Sequence, residues 1–189
     1  EADGIVAYGA AGAHNVAKAT ALKVSHEGAL AQYSGVAGGA RIAPALPPMI
    51  VIPTIAGSCS DAVGVAAIVL AEGGLATFTS QNLTPRVVIC DPTLTLDLSP
   101  EHTAGAGMDA LTHCVETYIA SAYNPPADGI ARDGLRRAAS NLEKAVGDRG
   151  NLRARRELMA AALNGTLAHQ KGLGGVHAMS HGLLGAVEG

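Results

Sequence analysis

The sequence predicts an α/β domain with a parallel sheet over residues 1–98, followed by an all-helical domain over residues 99–189. Three observations support this prediction. Short apolar runs alternate with helical stretches in the first half of the chain. Those runs are continuously apolar, as expected of strands that are buried on both faces of a parallel sheet. From Ser99 onward, every periodic segment has the spacing of a helix.

The first half contains three predicted strands and one strand-turn-helix unit. Each strand is a short apolar run that stops close to a glycine or a proline. The first strand leads into a turn of glycine and alanine and then a helix, and the second leads into a polar, hydroxyl-rich loop. The predicted strands are 4–8, 49–52 and 87–90, the turn is 9–12, the helix is 15–22 and the loop is 54–60.

Helix signals dominate the second half. Ser99 and Pro100 are the residue types preferred at a helix N-cap and at the first helical position. The pair Pro125-Pro126 breaks the chain, and Asp128 can cap the next helix. That helix has an apolar stripe at Ile130, Leu135, Ala138, Leu142 and Val146. A further helix is predicted over 152–167, and its inward-facing residues are Leu158, Met159, Ala162, Leu163 and Leu167.

Composition excludes several classes of protein. The chain has 189 residues, of which 48% are apolar, and its 13 basic and 16 acidic residues give a formal net charge of −3. Nucleic-acid binding is not expected, since it needs a basic patch and aromatic platforms, and the chain has four Tyr, one Phe and no Trp. The longest apolar run, 62–71, is well short of the ~20 residues of a membrane-spanning helix. We expect one or two soluble domains, packed with small residues because alanine and glycine make up roughly a third of the chain.

The cysteines and the termini indicate the compartment and the completeness of the chain. Cys59, Cys90 and Cys114 are odd in number and lack a C-x-x-C spacing, which predicts reduced, mostly buried thiols in a cytoplasmic protein. The N-terminus has neither an initiating Met nor a signal sequence. A strand pattern begins almost at once, so we expect both ends to be cut from a longer chain.

Two residue pairs with i, i+4 spacing are the main candidates for chemistry. Asp109 and His113 form one pair, and His177 and His181 form the other. At this spacing two side chains project from the same face of a helix. Two such helices could bring a carboxylate oxygen and two imidazole nitrogens to a divalent metal and leave one coordination position open, as catalytic sites require. Each pair alone is also compatible with a surface ion pair or a hydrogen bond within its helix.

The other polar features are weaker signals. The turn 9–12 lies between a strand and a helix, where backbone N–H groups can bind a phosphate, although such turns are also common without a ligand. The loop 54–60 follows a strand, where open α/β sheets usually bind ligands, and is equally compatible with an ordinary polar loop. The remaining histidines are expected to face solvent or to bond locally: His14, His26, His102 and His169.

Taken in order, several segments resemble the iron-containing (type III) alcohol dehydrogenases, a family related to glycerol dehydrogenase and dehydroquinate synthase. The most specific are G-M-D-A-L-T-H at 107–113 and H-A-M-S-H at 177–181. The other matching segments are 3–12 with 17–19, 52–58, 91–95, Thr103-Ala104, Glu116 and 172–174. Together they span nearly the whole chain.

The resemblance implies a Rossmann-like nucleotide-binding α/β domain, an all-helical domain and an active site between them, both domains being truncated here. It assigns Asp109, His113 and His177 as ligands of Fe²⁺ or Zn²⁺, and places the family's fourth ligand, a His, just past Gly189. It also implies that His181 is catalytic and lines the cleft near the nicotinamide. The implied contacts to NAD or NADP are Gly9, Ala10, Ala11, Gly12, Asn15, Thr54, Ser58 and Leu94.

The implied reaction interconverts an alcohol with an aldehyde or ketone. The metal would act as a Lewis acid on the alcohol oxygen, hydride would pass to the nicotinamide, and His181 could relay a proton. The implied partner is therefore a small-molecule substrate. Since the family commonly dimerises, a homodimer is expected as well.

Departures from the family pattern, among them the phosphate turn and the fourth ligand that falls past Gly189, leave alternatives open. The family's pyrophosphate turn is usually Gly-Gly-Gly-Ser with an Asp three residues later, whereas this chain has Gly-Ala-Ala-Gly and Asn15. The added methyl groups narrow the space in which a phosphate approaches backbone N–H groups. A second hypothesis is therefore a degenerate homologue that keeps the fold and a metal but binds dinucleotide weakly. A third, a lyase or cyclase of the dehydroquinate synthase type, agrees less well with the segment 107–113.

Overall fold

The computed structural model describes residues 2–57, 60–71 and 74–186. The chain divides into two compact units. The first comprises Glu1–Ile52, Ser60–Ile89 and Ser180–Gly189, and the second comprises Pro53–Cys59 and Cys90–Met179. The predicted domain boundary between residues 98 and 99 of this chain stays a prediction.

A three-stranded sheet forms part of the first unit. Its strands are β1 (Ile5–Gly9), β2 (Met49–Pro53) and β5 (Val87–Val88), in the order β1-β2-β5. Strands β2 and β5 are parallel, with Ile50 opposite Val87, which confirms the predicted parallel pairing. Strand β5 is shorter than the predicted 87–90, because the chain turns into a 3-10 helix at Pro92–Thr95 soon after it.

Helix α1 (Ala11–Ser25) packs on this sheet and begins earlier than predicted. Gly9 has φ of 144°, a backbone conformation that favours glycine, so the chain reverses within one or two residues of the strand. Ala10 is the N-cap, and Gly12 therefore lies in the helix rather than in a turn. The predicted helix 15–22 is extended at both ends.

The first unit also contains a short helix and a hairpin that were not among the predicted elements. The helix is α2 (Gly35–Gly39), and the hairpin pairs β3 (Val65–Val69) with β4 (Leu75–Thr79) in antiparallel fashion. Phe78, the one phenylalanine of the chain, is fully buried in the core of this hairpin with Leu22 of α1.

The second unit is built from α3 (Pro100–Ile119), α4 (Pro125–Gly147), α5 (Leu152–Ala168) and the first part of α6 (Gly175–Ala186). The predicted start of α3 is confirmed, since the Ser99 side chain accepts a hydrogen bond from the N–H of His102 (3.1 Å). Helix α4 begins three residues before the predicted cap. Asn124 is its N-cap, because its side chain accepts a hydrogen bond from the N–H of Ala127, and Asp128 lies in the first turn.

Small residues fill the helix interfaces, as composition predicted. The buried residues of α4 are Ala127, Ala131, Gly134, Ala138 and Ala145. Of the predicted apolar stripe, only Ala138 is among them, and the four larger residues of the stripe are half-buried. A Cβ on Gly134 would lie 2.9 Å from the Cβ of Asn164 on α5, so these helices approach too closely for a larger side chain. On α5, Leu158, Met159 and Ala162 are buried as predicted, but Leu167 is 40% exposed.

Several predictions for single residues are wrong or lie outside the described residues. His14 is fully buried beside Asp61 rather than facing solvent or bonding locally, whereas His26 and His102 do bond locally. Cys114 is buried as predicted, but Cys90 is exposed. Cys59 and Ser58 lie outside the described residues.

None of the helices in the described part of the chain is long and apolar enough to cross a membrane.

Candidate metal centre

Three side chains from two helices of the second unit meet at one point. Asp109 and His113 lie one turn apart on α3, and His177 lies in the first turn of α6. Oδ1 of Asp109 lies 3.3 Å from Nδ1 of His113 and 3.6 Å from Nε2 of His177. The centroids of the two imidazole rings are 3.9 Å apart. Within the described residues, this is the group of His, Cys, Asp and Glu side chains that could hold a metal ion.

The burial of the three side chains differs in a way that suits a reactive site. His113 is 4% exposed, and the side chain of His177 is 11% exposed. The Asp109 side chain is 46% exposed, so the cluster is closed on the imidazole side and open at the carboxylate. This combination leaves room for a further ligand, as a catalytic metal site requires.

Hydrogen bonds fix the orientation of both imidazoles. Nδ1 of His113 donates to the backbone carbonyl of Asp109 (2.9 Å), and Nδ1 of His177 donates to Oε2 of Glu116 (2.5 Å). A proton on Nδ1 leaves the lone pair of a neutral imidazole on Nε2. Both rings are thus held in the tautomer with which Nε2 can bind a metal, an arrangement common in metal sites.

Glu116 adjoins the candidate site through its hydrogen bond to His177, a contact that the sequence motifs did not predict. It is buried on α3, and its carboxylate accepts hydrogen bonds from the N–H of Val176 (2.7 Å) and of His177 (3.4 Å) in addition to the imidazole. The pKa of Glu116 is lowered: burial raises it, but the bonds from the His177 side chain and from the backbone of α6 and Gly174 outweigh that effect. The residue is therefore an anionic cap on the N-terminus of α6.

The sequence contains a signal that could have identified Glu116. Asp109, His113 and Glu116 have the spacing i, i+4, i+7, which places all three on one face of α3. Gly174 is a second signal, since a Cβ there would lie 2.7 Å from Oε1 of Glu116. The close approach of the two segments therefore depends on glycine.

Two further histidines, His169 and His181, lie close to His177 in the sequence. His169 is half-buried in the 3-10 helix His169–Lys171, and burial, followed by the charges of His113 and His177, lowers its pKa. Its Nδ1 is buried and makes no hydrogen bond to the described residues, so this nitrogen neither faces solvent nor bonds locally as expected. His181 is exposed one helical turn beyond His177 on α6, and its catalytic role stays a prediction.

The residues predicted to hold the cofactor occupy both units. In the first unit, the N-cap Ala10 makes no side-chain hydrogen bond, so no cap side chain satisfies the first N–H groups of α1. Ala10 and Gly12 are exposed there, and Gly9, Ala11 and Asn15 are half-buried. In the second unit, Thr54 follows β2 and Leu94 lies in the 3-10 helix Pro92–Thr95, and both are half-buried. Their contact with a dinucleotide stays a prediction.

Two family models match successive parts of the chain. Residues 1–92 match "Iron-containing alcohol dehydrogenase", and residues 103–188 match "Fe-containing alcohol dehydrogenase family, C-terminal". A 4-hydroxybutyrate dehydrogenase of Cupriavidus necator is 45% identical over 97% of this chain and 48% of that protein. The chain thus spans about half the length of the curated relatives it matches.

Solved structures agree with the family models. A crystal structure of 1,3-propanediol oxidoreductase has a TM-score of 0.92 at 37% identity, covering 97% of this chain and 48% of that one. The sulfoacetaldehyde reductase of Bifidobacterium kashiwanohense, solved in complex with NAD⁺, has a TM-score of 0.89 at 30% identity, covering 96% and 48%. The fold, the order of the motifs and both family models therefore lead to one conclusion: this chain belongs to the iron-containing alcohol dehydrogenase family.

Proposed function

We propose that the full-length protein is a metal-dependent NAD(P) oxidoreductase that interconverts an alcohol with an aldehyde or ketone. The observation that carries the proposal is the cluster of Asp109, His113 and His177, with Glu116 behind His177. Membership of the family supports it, since the relatives matched along the whole chain are named as dehydrogenases.

The donor set fits a divalent transition metal. Two ligands that are each about 2.1 Å from a tetrahedral metal lie about 3.4 Å apart. The distance of 3.6 Å from Oδ1 of Asp109 to Nε2 of His177 is close to that value. One carboxylate and two imidazoles suit either Fe²⁺ or Zn²⁺, and the family name favours iron.

The chemistry divides between the metal and the protein. When bound, the metal would polarise the alcohol oxygen and so favour its deprotonation. Glu116 holds the His177 ring in its ligating orientation. We assign to His181 the relay of the alcohol proton, because its exposed imidazole follows His177 by one helical turn and an imidazole can both accept and donate a proton.

We place the pyrophosphate of NAD or NADP at the start of α1. The first N–H groups of a helix carry a partial positive charge and lack partners within the helix. Here they receive no cap side chain, and the segment from Gly9 to Asn15 matches the family's phosphate turn in position. The relative solved with NAD⁺ supports a dinucleotide cofactor. The family resemblance adds Thr54, Ser58 and Leu94 as proposed further contacts.

The substrate we propose is a small primary alcohol or its aldehyde. The relatives named for 4-hydroxybutyrate and 1,3-propanediol both act, by name, on compounds with a terminal hydroxyl group. We place the enzyme in the cytoplasm, on the basis of its cysteine usage, and expect a homodimer from the family resemblance.

The second candidate is a degenerate homologue that keeps the metal and has lost useful dinucleotide affinity. It is favoured by Ala10, Ala11 and Asn15, which depart from the family's phosphate turn.

The test is made on the full-length protein. Metal per subunit, Kd for NADH and NADPH, and oxidation of 4-hydroxybutyrate and 1,3-propanediol are measured on one preparation. We expect about one metal per subunit, micromolar affinity for one dinucleotide and turnover of at least one alcohol. Bound metal without dinucleotide affinity would favour the degenerate homologue, and absence of both would reject the proposal.

A further inference from the structure

Lys18 is a buried lysine that the proposed reaction does not use. It lies on α1, is fully buried, and its ammonium group donates hydrogen bonds to the backbone carbonyls of Ser60, Val63 (2.6 Å) and Val65 (2.9 Å). An ammonium group has three N–H donors, and all three are used. One side chain of α1 thus binds three carbonyls of the segment 60–65.

A second side chain of α1 contacts the same segment. Nδ1 of His14 lies 2.7 Å from Oδ1 of Asp61, and both residues are at least 96% buried. His14 and Lys18 are one helical turn apart, so they reach the segment from the same face of α1. Burial lowers the pKa of Lys18 to about 8, while the charge of Asp61 opposes this, so the ammonium remains charged at pH 7.

The segment itself is constrained on its other side. The N–H of Ser80 donates to the carbonyl of Gly64 (2.8 Å), and a Cβ on Gly64 would collide with the Ser80 carbonyl. The carbonyls that Lys18 binds therefore lie on a backbone that is itself packed and hydrogen-bonded. A helix attached to such a backbone at two consecutive turns has little freedom to shift or rotate.

We propose that Lys18, supported by the His14–Asp61 pair, is a positioning residue that fixes the N-terminus of α1 for binding of the dinucleotide pyrophosphate. The inference rests on the proposed function. Lys18 lies two helical turns from Ala11, and a helix transmits a rotation or shift to its own end. Binding groups need to be held within about 0.5 Å of their productive positions, so a looser α1 presents its first N–H groups to the phosphate less favourably.

A purely stabilising role explains the contacts of Lys18 less completely than a positioning role does. Removing the ammonium leaves three carbonyls without their donor, so a loss of stability is expected whether or not Lys18 has a positioning role. The lysine does more than fill space, because it ties the helix to three defined carbonyls. A positioning role predicts an effect on dinucleotide affinity that persists at temperatures where the variant is fully folded.

The experiment compares Lys18→Met with Lys23→Met in the metal-loaded, full-length enzyme. Lys23 lies on the same helix and donates one exposed hydrogen bond to the Gly28 carbonyl (2.7 Å), so it is a matched control. NADH affinity is measured by fluorescence well below the unfolding temperature of each variant, together with metal content and KM for the alcohol. We expect Kd for NADH and KM for NAD to rise at least tenfold in Lys18→Met. In Lys18→Met, metal content and KM for the alcohol should stay within twofold of the unchanged protein. All values for Lys23→Met should do the same.

A folded Lys18→Met enzyme that binds NADH within twofold of the unchanged protein overturns the inference. If Lys18→Met does not fold, Asp61→Asn replaces it, since this change keeps the size of the side chain and removes the charge opposite His14. At least a threefold rise in Kd for NADH is then expected, and an unchanged Kd overturns the inference. If the unchanged protein itself binds no dinucleotide, the proposed function fails, and the positioning role falls with it.

Discussion

Glu116 and His177 form a carboxylate–imidazole hydrogen bond of 2.5 Å that joins α3 to the first turn of α6. The same carboxylate accepts the N–H of Val176, so it holds both the ring and the backbone of the helix that carries it. Of the four residues in the site, Glu116 and His113 are the most deeply buried. The proposed metal ligand on α6 is therefore placed by a residue of α3.

Replacing Glu116 by Gln tests this dependence. Gln keeps the size of the side chain but removes the charge and one acceptor, so the His177 ring loses its fixed tautomer. Loss of such partners typically lowers metal affinity roughly 10- to 100-fold, and we expect an effect of that size. The measurement is metal retained per subunit during titration with a chelator. Glu101→Gln, an exposed change on the same helix, is the control, and equal metal affinity in both variants would contradict the role of Glu116.

Replacing Ala10 and Ala11 by Gly should strengthen dinucleotide binding. Both alanines adopt ordinary backbone conformations, so their methyl groups are not needed for the turn, and glycine is a better N-cap than alanine. We expect Kd for NADH to fall severalfold. Ala139→Gly, an exposed change on α4, controls for the general cost of glycine in a helix, which is about 1 kcal/mol. No change in Kd for the double variant would mean that the turn does not bind the pyrophosphate.

Cys114 should be protected from alkylation in the native protein. Burial, and to a lesser degree the charge of Asp133, raises the pKa of its thiol to about 11, so little thiolate is present at pH 7.5. Peptide mass spectrometry after treatment with iodoacetamide should show Cys114 unmodified in the native protein and modified in urea. The exposed Cys90 is the internal control. Equal labelling of both residues without urea would show that α3 and α5 are not packed as described.

Asp133 should contribute stability that disappears in acid. Its carboxylate accepts hydrogen bonds from Arg137 and Arg136 (both 2.6 Å) and from Asn164 of α5 (3.0 Å), and these contacts lower its pKa to about 2. Because the folded pKa lies below the usual value of 3.8, the contribution is fully present above about pH 5 and is lost as the pH falls towards 2. Since the side chain is 38% exposed, solvent screening keeps the effect modest.

The measurement is urea unfolding of the unchanged protein and of Asp133→Asn between pH 7 and pH 3. We expect the difference in free energy of unfolding to be about 1 kcal/mol at pH 7 and to narrow below pH 4. Glu143→Gln, an exposed change on the same helix, should show no such difference. A difference that is the same at both ends of the pH range would mean that the Asp133 contacts are not ionic.

The predictable part of the fold followed from local signals. Strands β1 and β2 are continuous apolar runs, and the Ser99-Pro100 pair marks the start of α3 without reference to any distant residue. The hairpin β3–β4 escaped prediction because alanines at 66 and 67 weaken its strand signal. The start of α1 was misplaced because the position of a helix end depends on the φ of Gly9, which composition does not reveal.

The candidate site and its surroundings also contain residues that could be predicted from the sequence and residues that could not. Asp109, His113 and His177 could be identified because each belongs to a pair with helical spacing. The His14–Asp61 contact could not, since it joins residues 47 positions apart in the chain that only the tertiary fold brings together. The role of Glu116 could be predicted only in part. Its spacing from Asp109 is apparent in the sequence, but its hydrogen bond to α6 is not.

The central claim is that His177 is a metal ligand. The direct measurement is metal per subunit by elemental analysis in the full-length protein carrying His177→Ala, compared with His102→Ala, which removes an exposed histidine of α3 that bonds only to Ser99 among the described residues. We predict at least a tenfold loss of bound metal in His177→Ala and full retention in His102→Ala. Full metal content in a folded His177→Ala protein would contradict the assignment.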